Sequence, residues 1–159
     1  MNNNDILRRL RYTFDLSNAD AIALFSKNPI SVAAMDQNGF QARLLKQEDD
    51  GYEVCSDQEL NAFLDGLIVS RRGLKEPPPN AKPLPADFRL SRNDILKKLR
   101  IAMNFRDEDM LATLAAGGSK LSKSELGAFF RKPDHKHYRA CGNQVLRNFI
   151  AGLTQQLRG

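Results

Sequence analysis

Apolar residues recur every three to four positions along most of the chain, which is the spacing of one face of an α-helix. The first such run covers residues 4–14, and a matching run covers residues 93–103. No segment alternates strictly between apolar and polar residues, as a half-buried strand would. The pattern therefore predicts an all-α protein with about eight short helices.

The second half of the chain repeats the first half. Residues 4–11 (Asn-Asp-Ile-Leu-Arg-Arg-Leu-Arg) return at residues 93–100 as Asn-Asp-Ile-Leu-Lys-Lys-Leu-Arg. After a three-residue change of register, seven further positions are identical, and they pair Tyr52, Cys55, Gln58, Leu60, Phe63, Gly66 and Leu67 with Tyr138, Cys141, Gln144, Leu146, Phe149, Gly152 and Leu153. This recurrence predicts an internal duplication into two four-helix units of roughly 65–70 residues. Units of that size bury too little surface alone, so we expect them to pack with pseudo-twofold symmetry.

Five of the seven prolines lie between the two repeats. They divide the chain into a first repeat (residues 1–73), a proline-rich linker (74–91) and a second repeat (92–159). Because proline fixes the backbone dihedral φ and lacks an amide donor, we expect the linker to be extended along the surface. A proline-rich docking motif is the alternative interpretation.

Residue types that cap helix N-termini mark where the helices should begin. The predicted starts, in chain order, are Asn4, Ser17, Asp36, Ser56, Asn93, Asp107, Ser122 and Asn143. Gly66 and Gly152 fall inside the predicted fourth helices, where glycine costs about 1 kcal/mol of helix stability. We therefore expect another helix to approach closely at each glycine, either within its own unit or between the units.

The two repeats differ strongly in charge. The first holds 8 basic and 11 acidic residues, the linker 3 and 2, and the second 13 and 6, so the chain's net +5 is concentrated in the second repeat. Such an excess attracts polyanions. We predict a binding module whose second repeat contacts nucleic-acid phosphates through Lys123, Arg131, Lys132, Lys136 and Arg139, with supporting charge from Lys97, Lys98 and Arg100.

Other interpretations of the charge remain open. Residues 109–132 have the outline of a helix–turn–helix, with small residues in the turn and basic residues around the second helix. A solvated basic face that only keeps the protein soluble is the simpler interpretation. A further alternative is a protein–protein interaction adaptor, in which the acidic first repeat and basic second repeat face different partners or neighbouring copies.

Few residues suggest catalysis or a cofactor. His135, His137 and Cys141 carry metal-ligating atoms, but a structural zinc site needs a fourth ligand at a recognised spacing, so we expect surface histidines and no metal. Cys55 and Cys141 hold equivalent places and are expected to be buried thiols. Because the chain has no phosphate-binding glycine loop, metalloprotease motif or nucleophile elbow, we expect a non-catalytic protein without a cofactor.

The remaining features concern localisation. No apolar run approaches the roughly 20 residues of a membrane-spanning helix, and the polar start, residues 1–5, lacks the apolar stretch of a secretory signal. Two cysteines are too few for a disulfide framework. We expect a cytoplasmic protein without membrane partners.

The duplicated Asn-Asp-Ile-Leu start, the Ser-Lys-Ser-Glu-Leu segment at residues 122–126 and the Tyr-x-x-Cys-x-x-Gln element resemble the YehS-like family. The resemblance covers residues 4–73 and 92–159. The first repeat departs from the pattern at residues 35–40. Membership would imply a bacterial source and two copies of an α-helical domain of unknown function, and it supplies no activity, cofactor or catalytic residues.

Overall fold

The computed structural model describes residues 1–76 and 79–159, so the part of the linker prediction that concerns Pro77 and Pro78 lies outside the described residues. The chain divides into two compact units, residues 1–90 and 91–159. The helices of the first unit are α1 (Asn3–Thr13), α2 (Asn18–Leu24), α3 (Gln37–Leu44) and α4 (Asp57–Arg72). Those of the second are α5 (Arg92–Met103), α6 (Asp107–Ala116), α7 (Lys123–Ala128) and α8 (Asn143–Arg158).

The all-α prediction and the internal duplication are confirmed. Throughout the described residues the regular elements are helices, four in each unit and in the same order. The apolar faces predicted for the first helices are buried along most of their length, as at Ile6 and Leu10 in α1 and at Ile95 and Leu99 in α5. At the ends of these faces, Phe14 and Met103 are half-buried. The pseudo-twofold packing of the two units stays a prediction.

Most of the predicted helix starts are confirmed. Ser17, Asp36, Ser56 and Ser122 are N-caps, and each side chain accepts a hydrogen bond from the amide three residues further on. Such a bond satisfies one of the amide donors that a helix N-terminus leaves unpaired. α8 begins at Asn143, as the sequence predicted.

The predicted caps at Asn4 and Asn93 are wrong. The N-caps of α1 and α5 are Asn2 and Ser91, whose side chains accept from the amides of Asp5 and Asp94. These aspartates reach back to the cap amides and so complete capping boxes. Asn4 and Asn93 lie inside their helices and are buried, because their side-chain amides bind backbone groups elsewhere in the unit.

The predicted cap at Asp107 is also wrong. α6 begins after Arg106, whose backbone N–H donates to the Asp109 carboxylate at 2.9 Å. Asp107 is the first helical residue, and its carboxylate accepts from Arg100 Nη2 at 2.8 Å instead of capping the helix. Asp109, two residues further along the chain, therefore caps the start of α6 in place of Asp107.

Gly66 and Gly152 mark close helix contacts inside each unit, which settles the alternative left open by the sequence. A Cβ placed on Gly66 would lie 1.8 Å from the Leu24 carbonyl oxygen at the end of α2. A Cβ on Gly152 would lie 1.9 Å from the Thr113 carbonyl oxygen in α6. Any larger residue would force these backbones apart, so the second and fourth helices of each unit meet at a glycine.

The described end of the linker is held by the first unit. Gln58 Nε2 donates to the Pro85 carbonyl at 2.9 Å, and the Leu90 amide donates to Asp57 Oδ2 at 3.0 Å. Leu90 is buried, whereas residues 79–87 are exposed. The last residues of the linker are therefore hydrogen-bonded to the start of α4.

None of the helices in the described residues has the length and apolar character needed to cross a bilayer.

Candidate functional site

A buried asparagine holds the segment between α7 and α8 in the second unit. Asn93 Nδ2 donates to the carbonyls of Phe129 and Arg139, both at 2.9 Å, and Asn93 Oδ1 accepts from the Cys141 amide at 2.8 Å. One side-chain amide therefore satisfies three backbone groups from the two ends of the segment, and two of these hydrogen bonds are buried. Leaving such groups unpaired would cost about 1–3 kcal/mol each, so the segment is firmly attached to α5.

The first unit uses the same attachment. Asn4 Nδ2 donates to the carbonyls of Arg43 and Glu53, at 3.0 and 2.8 Å, and Asn4 Oδ1 accepts from the Cys55 amide at 3.0 Å. Between the two ends, the Glu53 amide donates to the Ala42 carbonyl as the Arg139 amide does to Ala128. The two segments therefore share one hydrogen-bonding frame.

These equivalent segments carry opposite charge. We call residues 45–55 the acidic loop and residues 131–141 the basic loop. The acidic loop has one basic and four acidic side chains, a formal charge of −3, and the basic loop has four basic and one acidic, a charge of +3. Since both loops have the same length and the same backbone bonds, the difference lies in the side chains displayed.

Most acidic side chains of the second unit lie at helix starts. Five of its six, the exception being Asp134, occupy the first turn of a helix; they are Asp94, Asp107, Glu108, Asp109 and Glu125. A carboxylate there interacts with the positive end of the helix dipole and with free amides. The backbone amide of Ser122, its hydroxyl and then Arg139 lower the pKa of Glu125. Asp134 is therefore the single acid in the sequence of the basic loop, and Glu125 at the start of α7 lies beside Arg139 of that loop.

Three predicted contact residues of the basic loop are solvent-exposed. Arg131, Lys132 and Lys136 lie around the turn in which the His135 amide donates to the Lys132 carbonyl at 2.9 Å. None of the three forms an ion pair with a carboxylate in residues 1–76 or 79–159. Their charges are therefore available to an anion from solution.

Lys123 and Arg139 lie beside carboxylates near the start of α7. Lys123 Nζ is 3.8 Å from Asp107 Oδ2, and Arg139 Nη1 is 3.4 Å from Glu125 Oε2. The side chains remain exposed, 71% for Lys123 and 54% for Arg139. Exposed pairs contribute little, about 0–1 kcal/mol, so a phosphate can compete for these cations.

The three predicted supporting residues on α5 differ in exposure. Lys97 is exposed and Lys98 is half-buried. Arg100 is also half-buried, and it donates to Asp107 and to the Phe105 carbonyl while its guanidinium lies over the Phe130 ring. Arg100 therefore connects α5 to the start of α6, and its charge is already matched inside the unit.

The three residues considered as metal ligands are not gathered into a site. The rings of His135 and His137 are exposed, with centroids 5.6 Å apart, whereas Cys141 is buried. Within the described residues, no three metal-ligating side chains come together. The expected buried thiols are confirmed: burial raises the pKa of Cys55 to about 12 and that of Cys141 to about 11, which opposes thiolate formation.

The helix–turn–helix outline has a short second helix. α7 has six residues, a length of about 9 Å. The predicted contact residues Arg131, Lys132 and Lys136 follow α7 in the basic loop and are not on its surface. The sequence analysis missed the role of Asn93 because it took this residue for a helix cap, although the identical asparagine at the equivalent position of the first repeat was a usable signal.

Comparison with known proteins identifies the family. A family described as protein of unknown function (DUF1456) matches residues 3–73 and 92–159, which are the two repeats without the linker. This chain belongs to that family. It is similar to the uncharacterized protein YehS of Escherichia coli (strain K12), with 37% identity over 153 residues that span 96% of this chain and 94% of the relative. No solved structure matches the chain.

Proposed function

We propose that the chain is a non-catalytic binding module that holds nucleic-acid phosphates on the basic loop of its second unit. The observation that supports this most is the charge reversal between the two loops. The same asparagine frame displays −3 in one unit and +3 in the other, so the positive charge is not a requirement of the fold.

The contacts assigned to the interface follow from exposure. Arg131, Lys132 and Lys136 provide the principal phosphate contacts, since they are exposed and unpaired within the described chain. Lys123 and Arg139 extend the surface toward α7, and Lys97 adds charge on α5. Arg100 is left out because Asp107 and the Phe105 carbonyl already engage it.

A loop-borne interface suits contacts to the phosphate backbone. Such contacts position a protein on nucleic acid without reading sequence, and their affinity falls steeply with salt because each neutralised phosphate releases counterions. A loop fixed at both ends by Asn93 presents its cations with little ordering cost on binding. The proposal therefore specifies salt-sensitive binding that depends weakly on sequence.

The test compares two triple variants by fluorescence anisotropy with labelled oligonucleotides at about 50 mM salt and upward. One variant is Arg131→Ala/Lys132→Ala/Lys136→Ala in the basic loop. Its control is Lys27→Ala/Lys46→Ala/Arg72→Ala, which removes the same charge from exposed positions of the first unit. We expect the basic-loop variant to lose about tenfold or more in affinity and two to three units of salt slope, and the control to change little.

Two outcomes would contradict the proposal. Undetectable binding of the unaltered protein to DNA and RNA would remove it, and equal losses in both variants would show that only net charge matters.

The acidic loop supports a second candidate function, an adaptor that pairs oppositely charged surfaces of proteins. Salt-sensitive self-association in sedimentation, without any oligonucleotide binding, would favour the adaptor.

A further inference from the structure

Two exposed imidazole rings stand in the basic loop, among its cations. His135 and His137 flank Lys136, and both rings are solvent-exposed. Their planes are tilted by 43° with centroids 5.6 Å apart, so neither ring covers the face of the other. Each ring therefore keeps a flat face open to solvent beside a positive charge.

The structure holds one of these rings in place. The His137 amide donates to Nδ1 of His135 at 3.0 Å, which restricts the orientation of this exposed ring. A ring that is already oriented loses little entropy when a partner stacks on it. The pair is thus arranged for contact with a flat group.

The fold does not need these rings. In the acidic loop the equivalent positions are Asp49 and Gly51. In both loops a backbone amide donates a hydrogen bond to the carbonyl three residues earlier, from Tyr52 to Asp49 and from Tyr138 to His135. The backbones differ at the second of these positions, since Gly51 has φ +85° and His137 has no left-handed φ. Exposed rings that the frame does not require indicate a role in binding.

We infer that the basic loop takes single-stranded nucleic acid, with His135 and His137 stacking on unpaired bases while Arg131, Lys132 and Lys136 neutralise the phosphates. The inference rests on the proposed function and names its ligand class. Proteins that bind single strands combine a basic surface with rings on which bases stack, because every base has a flat face. In a duplex those faces are already covered by neighbouring bases.

The short α7 supports the same ligand. A helix that reads duplex DNA lies in the major groove and carries its contact residues along its own surface. α7 has six residues, and the exposed cations Arg131, Lys132 and Lys136 come after it. The loop is therefore better suited to unpaired bases and a flexible backbone.

The test uses the full-length protein and three labelled probes of about 12 nucleotides, a length that small single-strand binding domains cover. The probes are oligothymidylate, oligouridylate and a mixed-sequence duplex of the same length. We expect both single strands to bind about tenfold more tightly than the duplex. The two single strands distinguish DNA from RNA as the source of the unpaired bases.

Two double variants isolate the rings. His135→Ala/His137→Ala should weaken single-strand binding about tenfold, leave duplex binding unchanged and preserve the salt slope, since stacking releases no counterions. His135→Phe/His137→Phe should keep single-strand affinity within about threefold, because phenylalanine also stacks on bases. Thermal unfolding of each variant checks that the unit is intact.

The possible results separate the two proposals. If the duplex binds as tightly as the single strands and the alanine variant binds normally, the ring inference is overturned while the proposed function stands. A phenylalanine variant as weak as the alanine variant overturns stacking as well. If no probe binds at about 50 mM salt, the proposed function is lost and this inference with it.

Discussion

The acidic loop of the first unit and the basic loop of the second share one hydrogen-bonding frame and carry opposite charges. In each, a buried asparagine binds two carbonyls and a cysteine amide. In the acidic loop, part of the charge serves the unit itself, since Arg43 pairs with Glu53 at 3.0 Å and Asp49 accepts from the Lys46 amide at 2.9 Å. In the basic loop, three cations face solvent unpaired within the described chain.

This comparison separates two kinds of constraint. Asn4 and Asn93 bind backbone groups from distant parts of their units, and Gly66 and Gly152 let two backbones touch. At both of these positions the two repeats have the same residue. Exposed loop positions differ even in the sign of their charge, because an exposed charge changes stability by only about 0.5 kcal/mol. The charge difference between the two loops therefore lies at exposed positions.

The largest effect is expected at the shared glycines. Gly66→Ala and Gly152→Ala each place a methyl group within 2 Å of a carbonyl oxygen. Because backbone cannot move aside as a flexible side chain can, each should lower the free energy of unfolding by about 3 kcal/mol, measured by chemical denaturation. Gly127→Ala in α7 is the control, since nothing lies within 4 Å of its added Cβ. Unchanged stability in either shared-glycine variant would contradict this packing.

A smaller loss is expected at the shared asparagines. Asn93→Ala and Asn4→Ala each leave two carbonyls and one amide without partners, which should cost about 2 kcal/mol if water satisfies part of them. Asn93→Asp keeps the acceptor for Cys141 but turns a carboxylate toward two carbonyls, so it should be no better than alanine. Denaturation of Asn38→Ala, an exposed asparagine of α3, gives the baseline. If Asn93→Ala matches that baseline, the loop is held by other contacts.

The smallest effect distinguishes the two thiols. With pKa values of about 12 for Cys55 and about 11 for Cys141, both should alkylate far more slowly at pH 8 than a free thiol, and Cys141 about tenfold faster than Cys55. Peptide mass spectrometry after iodoacetamide treatment measures each rate. Labelling of either cysteine at the rate of an unfolded control would contradict their burial.

The same thiols give stability a pH dependence with a definite sign. Their pKa values are raised in the folded chain above the ordinary value of about 9. Their contribution to stability is therefore complete below about pH 9 and is lost as the pH rises toward 11 and 12. Denaturation midpoints on the alkaline side should fall less when both thiols are replaced by alanine.

Local patterns predicted the helices well, since caps such as Ser56 and Ser122 act through residues three positions away. They failed at Asn4 and Asn93 because the partners of these side chains are 36 to 51 residues away in sequence. The capping boxes of Asn2 with Asp5 and of Ser91 with Asp94 were visible in the sequence and compete for the same helix starts.

The candidate site was predictable in composition and not in arrangement. The sequence showed the excess of cations in the second repeat but could not show that Arg100 is engaged by Asp107 or that Arg131 is exposed. It predicted that His135 and His137 lie on the surface, but it could not show that the His135 ring accepts from the His137 amide, because that contact depends on how the loop turns. The sequence aligned the two loops through Tyr52 with Tyr138 and Cys55 with Cys141. It did not show that each loop is held by a buried asparagine, because those hydrogen bonds connect distant parts of each unit.

The hydrogen bond from the Leu90 amide to Asp57 attaches the end of the proline-rich segment to the first unit. Its beginning follows α4 directly and its end is fastened to the start of the same helix, while the next residue, Ser91, already caps α5. Residues added among positions 79–84 would therefore enlarge a closed loop on the first unit. They would not lengthen the stretch of chain that passes from one unit to the other, which is a single peptide bond.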